Sequence, residues 1–591
     1  MVRPARFVAP LALVLMTFAT PVAQAQSPTP DEPVTLTVGT SEDLVTDNPF
    51  RVCCVSDYEV ITVEYDMLLK FGSEDLSAEP SLAEGCEPSA DHLEWTCTLR
   101  EGLRWSDGEP LTSKDVAFTY RFMIDNRIPQ YRGYFPFHPE FETPDDHTLI
   151  WKAEEPTFAP DMPPWVYVLP EHVWARYDGE DLRTIKDVPN TPAVGSGPFV
   201  LTDWQGGESW TMERNPYYWG DEPAVDRIVY RLYTNPEAMA QALKTGEIDF
   251  ANNLQPGVFE RLRDAPNIVT HTTISDWWLN LAFNFGGQGA QATNLPALHD
   301  LDLRTAIAMA IDKEELVRLA YQGTATPGDT VIRPASAFWH LDLPPEDELA
   351  YDPDGAMALL DGAGYVDTDQ DGIREDPASG EPLELEIPVS MDTLGAQEAG
   401  SLIDGYLGAI GVQVELRPVT ENQMNDVWGS GDFDAYLWYW SGDPDPDFQL
   451  SIFTSDQCRG WSDGCFSDPT YDRLYEEQRG IMDQQERLAV VQEAQRRLYQ
   501  QVPGIVLAYP GQLQAYRSDR FTNWKPAPGP NGKLIFGYNY DSYVSIVPVA
   551  AADDDMGGVP RWVFVVAAAA AVVIVGAVVV RNRRSDDEDE E

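Results

Sequence analysis

Seven stretches of the chain carry the apolar patterning of β-strands: VTLTVGT (34–40), DRIVYRLY (226–233), WWLNLAFNF (277–285), LELEIPVS (383–390), VQVELRPV (412–419), FDAYLWYW (433–440) and GIVLAYP (504–510). The first alternates apolar and polar side chains, as a strand with one wet face does. The others are strand-like segments lying between the predicted helices. Helical patterning falls between them. Thr112 and Asp115 form a capping box ahead of a face made by Val116, Tyr120, Met123 and Ile124. Asn235-Pro236-Glu237 opens a helix that should stop at Gly246, Asp352-Pro353 opens one ending near Gly362 or Gly364, and 303–311 is a third. Helices alternating with strands over this length predict an α/β fold in more than one lobe.

The two ends have a different pattern. Arg3 and Arg6 precede a short apolar run, 7–18, and Ala23-Gln24-Ala25 supplies small residues at the expected spacing, so 1–25 reads as a secretory signal peptide. Near the other end, 562–580 is uncharged and apolar and is followed by Arg581, Arg583 and Arg584. Such a run can cross a hydrocarbon layer of ~30 Å as a helix, with the arginines on the cytoplasmic side. The expectation is an exported body tethered by one C-terminal transmembrane helix (562–580), with a short stalk (549–561) before it and an acidic cytoplasmic tail (581–591) after it.

Composition narrows the function. The formal net charge is −57, from 97 acidic against 40 basic residues, and the acids are spread along the chain. That charge repels phosphate backbones, which excludes nucleic acid as a partner. It fits a surface kept hydrated in a salty medium. Six cysteines in an exported chain read as disulfides. Cys86 and Cys97 flank a turn, Cys458 and Cys465 close a small loop, and Cys53 and Cys54 are left as a vicinal pair or as partners for others. GSGPF around Ser196 lacks the spacing of a nucleophile elbow, and the histidines form no zinc motif. DTDQDGIRED (367–376) resembles the start of a calcium loop through Asp367, Asp369 and Asp371, but Ala378 occupies the position of the closing acid. An Asp-rich turn is the alternative. No cofactor is implied.

Several segments, taken in order, resemble the family 5 extracellular solute-binding proteins of ABC importers, the group with oligopeptide-, dipeptide- and nickel-binding members. They include LREGLRWSDGEPLTSKDVAFTYRFM (99–123), VGSGPFVL (194–201), RNPYYWGDEPAVDRIVYRLY (214–233), ALKTGEIDF (242–250), LRTAIAMAIDKEELV (303–317), YDPDGAMALLDGAGY (351–365) and GDFDAYLWYWSGDPDPD (431–447). The resemblance implies a two-lobed periplasmic-binding-protein-like α/β fold with an extra N-terminal subdomain. Crossings between lobes are expected near 280–285 and 505–509. The larger lobe would then be 26–284 with a return segment 504–548, and the smaller lobe 285–503. It further implies a receptor that captures a peptide or similar small solute without altering it and passes it to ABC permease subunits.

The resemblance carries a ligand-ammonium role to Asp443, with an acidic surface turn formed by Asp443, Asp445 and Asp447 as the alternative. Trp438 and Trp440 share one face of the preceding strand, and Asn48, Asp57 and Tyr58 follow the first strand; these are the other candidate ligand contacts. The arginine that clamps a ligand carboxylate in dipeptide-binding members has no counterpart near Met391 and Asp392. Same-fold alternatives bind nickel chelates or oligosaccharides. An alternative of another class is a membrane-anchored extracellular hydrolase.

Overall fold

The computed structural model describes residues 33–52, 54–128, 131, 139–153, 166–286, 295–391, 393–442, 444–458, 462 and 464–549. The expected signal peptide, the stalk beyond Val549, the membrane helix and the acidic tail lie outside these residues. Among the described residues no helix is long and apolar enough to cross a membrane.

Two large sheets organise the described chain. The first has seven strands in the order Ile268–Thr272, Leu513–Arg517, Phe250–Ala251, Thr35–Thr40, Arg227–Leu232, Ser209–Arg214 and Phe199–Gln205. The second has six, in the order Ala325–Pro327, Gly504–Pro510, Trp277–Phe283, Ala435–Ser441, Glu384–Ser390 and Gln413–Val419. A separate four-stranded sheet, Ala83–Pro88, Glu94–Leu99, Thr148–Lys152 and Glu140–Asp145, builds a subdomain beside the first. Each has its own apolar core: Leu36, Ile228 and Phe250 under the first sheet, Leu281, Ile387 and Leu437 under the second, and Trp95, Tyr120 and Trp151 in the subdomain.

Local signals placed the helices well. Ser113–Asp125 starts on the capping box of Thr112 and Asp115. Asn235 Oδ1 accepts from the Glu237 and Ala238 amides, and Pro236–Thr245 ends on Gly246 in the left-handed region, where glycine has no steric cost. Pro353–Ala363 ends on Gly364 in the same way. The GSGPF segment is scaffold. A Cβ on Gly195 would lie 2.1 Å from Glu64 O and one on Gly197 2.3 Å from Val63 O, so both glycines are needed for close approach to the Val55–Glu64 helix. Ser196 is buried, and its hydroxyl oxygen accepts from the Asp66 amide at 2.8 Å.

Two expected cysteine pairs are present. Cys86 and Cys97 are directly opposed on neighbouring strands and bonded, and Cys458 is bonded to Cys465. Cys54 is also disulfide-bonded, while Cys53 lies outside the described residues.

Both Trp277–Phe283 and Gly504–Pro510 belong to the second sheet and pair with each other. The chain therefore changes sheet within 273–276 and 511–512, rather than near 280–285 and 505–509. The two apolar runs expected to carry the crossings are instead central strands, which is why they are buried on both faces. The crossings touch. Thr273 N donates to Gln512 O at 3.0 Å, and Gln512 N donates to Thr273 Oγ1 at 2.9 Å. A Cβ on Gly511 would lie 2.4 Å from Thr273 O, so only glycine lets the strands pass this closely.

Candidate functional site in the cleft between the sheets

Strand direction places the site. Thr35–Thr40 runs parallel to Arg227–Leu232 and to Phe250–Ala251. The antiparallel strand Leu513–Arg517 begins at the edge where these end, directly after the second crossing. In the second sheet Ala435–Ser441 runs parallel to Glu384–Ser390, which runs parallel to Gln413–Val419. Trp277 pairs with Ser441, so Trp277–Phe283 starts from that same edge, directly after the first crossing. Both sheets thus turn the carboxyl ends of their parallel strands toward the paired crossings. That edge is where α/β sheets bind ligands, because loops and unpaired backbone groups collect there.

The sequence-predicted residues divide in two. Trp438 and Trp440 do share one face, opposite Asn280 and Trp278 on the neighbouring strand, and both are half-buried. The Trp438 ring lies 4.1 Å from Trp428 and 5.8 Å from Trp440, and Trp440 also meets Phe448, giving a continuous aromatic surface. Asp443 lies outside the described residues, two positions beyond Ser441.

The residues proposed in the larger lobe are held in its scaffold. Asn48 is 1% exposed; its amide donates to Ile185 O and Val188 O, and its oxygen accepts from Phe50 N. Asp57 is fully buried and accepts from the Val45 and Thr46 amides, which fixes the loop after the first strand. Tyr58 is half-buried and packs against the subdomain core. Asp445 is no surface acid: Arg487 grips it with two hydrogen bonds of 2.6 and 2.9 Å in the interior of the second lobe. Asp447 accepts from Gln478.

A group with no signature in the linear chain gathers where the crossings meet the first sheet. Glu42 follows the end of Thr35–Thr40, and Asn252 and Asn253 follow Phe250–Ala251. Asp276 is the last residue of the first crossing, and Lys533 belongs to the return segment. Lys533 Nζ lies 2.8 Å from Asp276 Oδ2. Burial pushes the Asp276 carboxyl up, but the charge and hydrogen bond of Lys533, with the charge of Arg333, outweigh it and hold the group below the usual range. Arg333, from the second lobe, is fully buried. Asn253 Nδ2 donates to Glu42 Oε1 at 2.7 Å, and Gln512 in the second crossing donates to Asn253 Oδ1. Glu59, beneath them, accepts from Asn252 Nδ2, and burial raises its carboxyl to about 8, so it stays protonated at neutral pH. The cluster spans residues from 42 to 533, and no local pattern could have found it.

The Asp-rich loop is a separate feature. Asp367, Asp369 and Glu375 bring one carboxylate oxygen each within 4.8 Å of one another, so Glu375 takes the place expected of Asp371. Asp367 also caps the Gln370 and Gly372 amides, which accounts for the aspartate as turn chemistry.

Residues 77–461 match the family model for the middle region of the bacterial extracellular solute-binding proteins, family 5. The chain belongs to this family. Among curated relatives of the family 5 protein, di/tripeptide-binding protein 2 of Pseudomonas aeruginosa is 26% identical over 482 residues, covering 77% of this chain and 85% of the relative. The nickel-binding periplasmic protein of Escherichia coli is 25% identical over 477 residues, covering 75% and 83%. Among solved structures, a periplasmic oligopeptide-binding protein of Thermotoga maritima superposes with a TM-score of 0.75 at 24% identity, covering 87% of this chain and 99% of that one. The peptide-bound DppA of Helicobacter pylori gives 0.69 at 21% identity, covering 87% and 98%. These structures share the two-lobed α/β periplasmic-binding-protein fold.

Proposed function

We propose that this family 5 protein is an extracytoplasmic receptor that takes up peptides in the cleft between its lobes and delivers them unaltered to an ABC permease. The observation that carries the reading is the pair of carboxyl strand edges facing each other beside two touching crossings. That arrangement lets one lobe rotate over a guest bound on the other. Its relatives' names point to peptides, and the half-buried aromatic surface of Trp438 and Trp440 offers flat apolar contact to side chains. In this reading Asp443 meets the peptide's α-ammonium. Met391 is 51% exposed after its strand, in place of a carboxylate-clamping arginine, which favours recognition through the peptide backbone. The body comprises a larger lobe made of the first sheet and the subdomain and a smaller lobe made of the second sheet, exported by 1–25 and tethered through 562–580.

Native mass spectrometry of protein purified from its own cells tests this. Co-purified peptides of mixed sequence support it. A single metal chelate or a sugar overturns it in favour of the nickel or oligosaccharide alternative, and turnover of the bound molecule would make it an enzyme.

A further inference from the structure

One carboxylate of the cluster at the crossings has no ion pair of its own among the described residues. Among the cluster's acids, Glu59 is raised by burial to about 8, toward its neutral form, and Asp276 is matched by Lys533 at 2.8 Å. Glu42 remains. Its carboxylate is half-buried, takes one hydrogen bond from Asn253 and forms no ion pair among the described residues. Burial raises its pKa, with the charge of Lys533 opposing and that of Asp276 adding to the rise. A carboxylate withdrawn from water without its own cation is costly, and closing a cleft over it raises that cost. An arriving ammonium or guanidinium group removes the penalty and supplies donors for the second oxygen. Position agrees: Glu42 follows the carboxyl end of a central strand, on the edge that faces the cleft.

We propose that Glu42 is a specificity residue of the cleft, receiving a lysine or arginine side chain of the bound peptide. This rests on the peptide reading. It is separate from the α-ammonium role given to Asp443. Glu42 is also linked mechanically to the hinge. Asn253, which donates to it, accepts from Gln512, and the Gln512 backbone is paired with Thr273 across the two crossings. A cation seated on Glu42 therefore pulls on a carboxylate tied through two amides to the point of rotation.

The test uses the full chain in detergent and alanine tripeptides carrying lysine or norleucine at each position in turn, with binding followed by calorimetry. The wild type should prefer lysine at one position by about tenfold or more, as expected when a charge pair forms in a partly desolvated site. Glu42→Gln keeps the acceptor for Asn253. It should abolish that preference, bringing the lysine peptides to the level of the norleucine peptides. Three results overturn the proposal: an unchanged lysine preference in Glu42→Gln, no lysine preference in the wild type, or loss of both series in Glu42→Gln, which would assign Glu42 to the scaffold. Failure of the wild type to bind any tripeptide is a distinct outcome: it overturns the peptide reading, and this proposal with it.

Discussion

Lys533 Nζ and Asp276 Oδ2 stand 2.8 Å apart, joining the return segment of the first lobe to the segment in which the chain leaves it. Both side chains are largely withdrawn from solvent, at 7% and 16% exposure. Removing one partner of such a pair leaves the other charged and unmatched. Lys533→Met should therefore cost about 3 kcal/mol in urea unfolding, and the double variant with Asp276→Asn should recover much of that. A loss in the double variant equal to the sum of the two single losses would show that the pair is not coupled.

Glu59 and Glu64 make stability depend on pH in the direction opposite to ordinary carboxylates. Burial raises both to about 8, far above the usual carboxylate range. A raised folded-state pKa favours the protonated form, so this stabilisation is fully present below the unfolded-state value. It fades as pH climbs through the folded-state value. Unfolding free energy should thus fall between about pH 5 and pH 8 by a few kcal/mol per group, since each tenfold difference in proton affinity between the folded and unfolded chain is worth about 1.4 kcal/mol. Glu59→Gln and Glu64→Gln should each flatten the slope, as measured by urea titrations at pH 5, 7 and 9.

Gly511→Ala should damage the hinge. The added methyl would fall 2.4 Å from the backbone oxygen of Thr273, and neither atom can rotate aside. A loss of about 2 kcal/mol or more is expected in thermal unfolding. Alanine at Gly405, where nothing lies within 4 Å and the backbone is helical, should be neutral or slightly stabilising by comparison.

The net charge of −57 predicts stabilisation by salt. Raising sodium chloride from 0.1 M to 1 M shortens the screening length from about 10 to about 3 Å, weakening repulsion between acids spread over the surface. The melting temperature should rise by several degrees over that range. A flat response would mean that the acids are already balanced by local partners.

The legible parts of the fold were those with local causes. Thr112 and Asp115 sit three apart, Asn235 stands directly before its proline, and Gly246 and Gly364 end helices in a conformation other residues avoid. The crossings were displaced because Trp277–Phe283 and Gly504–Pro510 are apolar on both faces, and such a run does not say which sheet it joins. Asp445 resembled a surface acid because Arg487 lies 42 residues further on. Glu42 and Asn253 are 211 residues apart, and Asn253 and Gln512 are 259 apart. Contacts of that span are products of topology, and the linear chain carries no trace of them.

The reciprocal bonds between Thr273 and Gln512 constrain which motions are open to the molecule. Two strands fastened side by side at one place behave as a door hinge with a single pin: swinging leaves both fastenings intact, whereas sliding or wringing one half against the other tears them. The shut form should accordingly be a reproducible shape rather than a family of near misses. A permease waiting at the membrane would then have one silhouette to recognise, whatever sequence the captive carries.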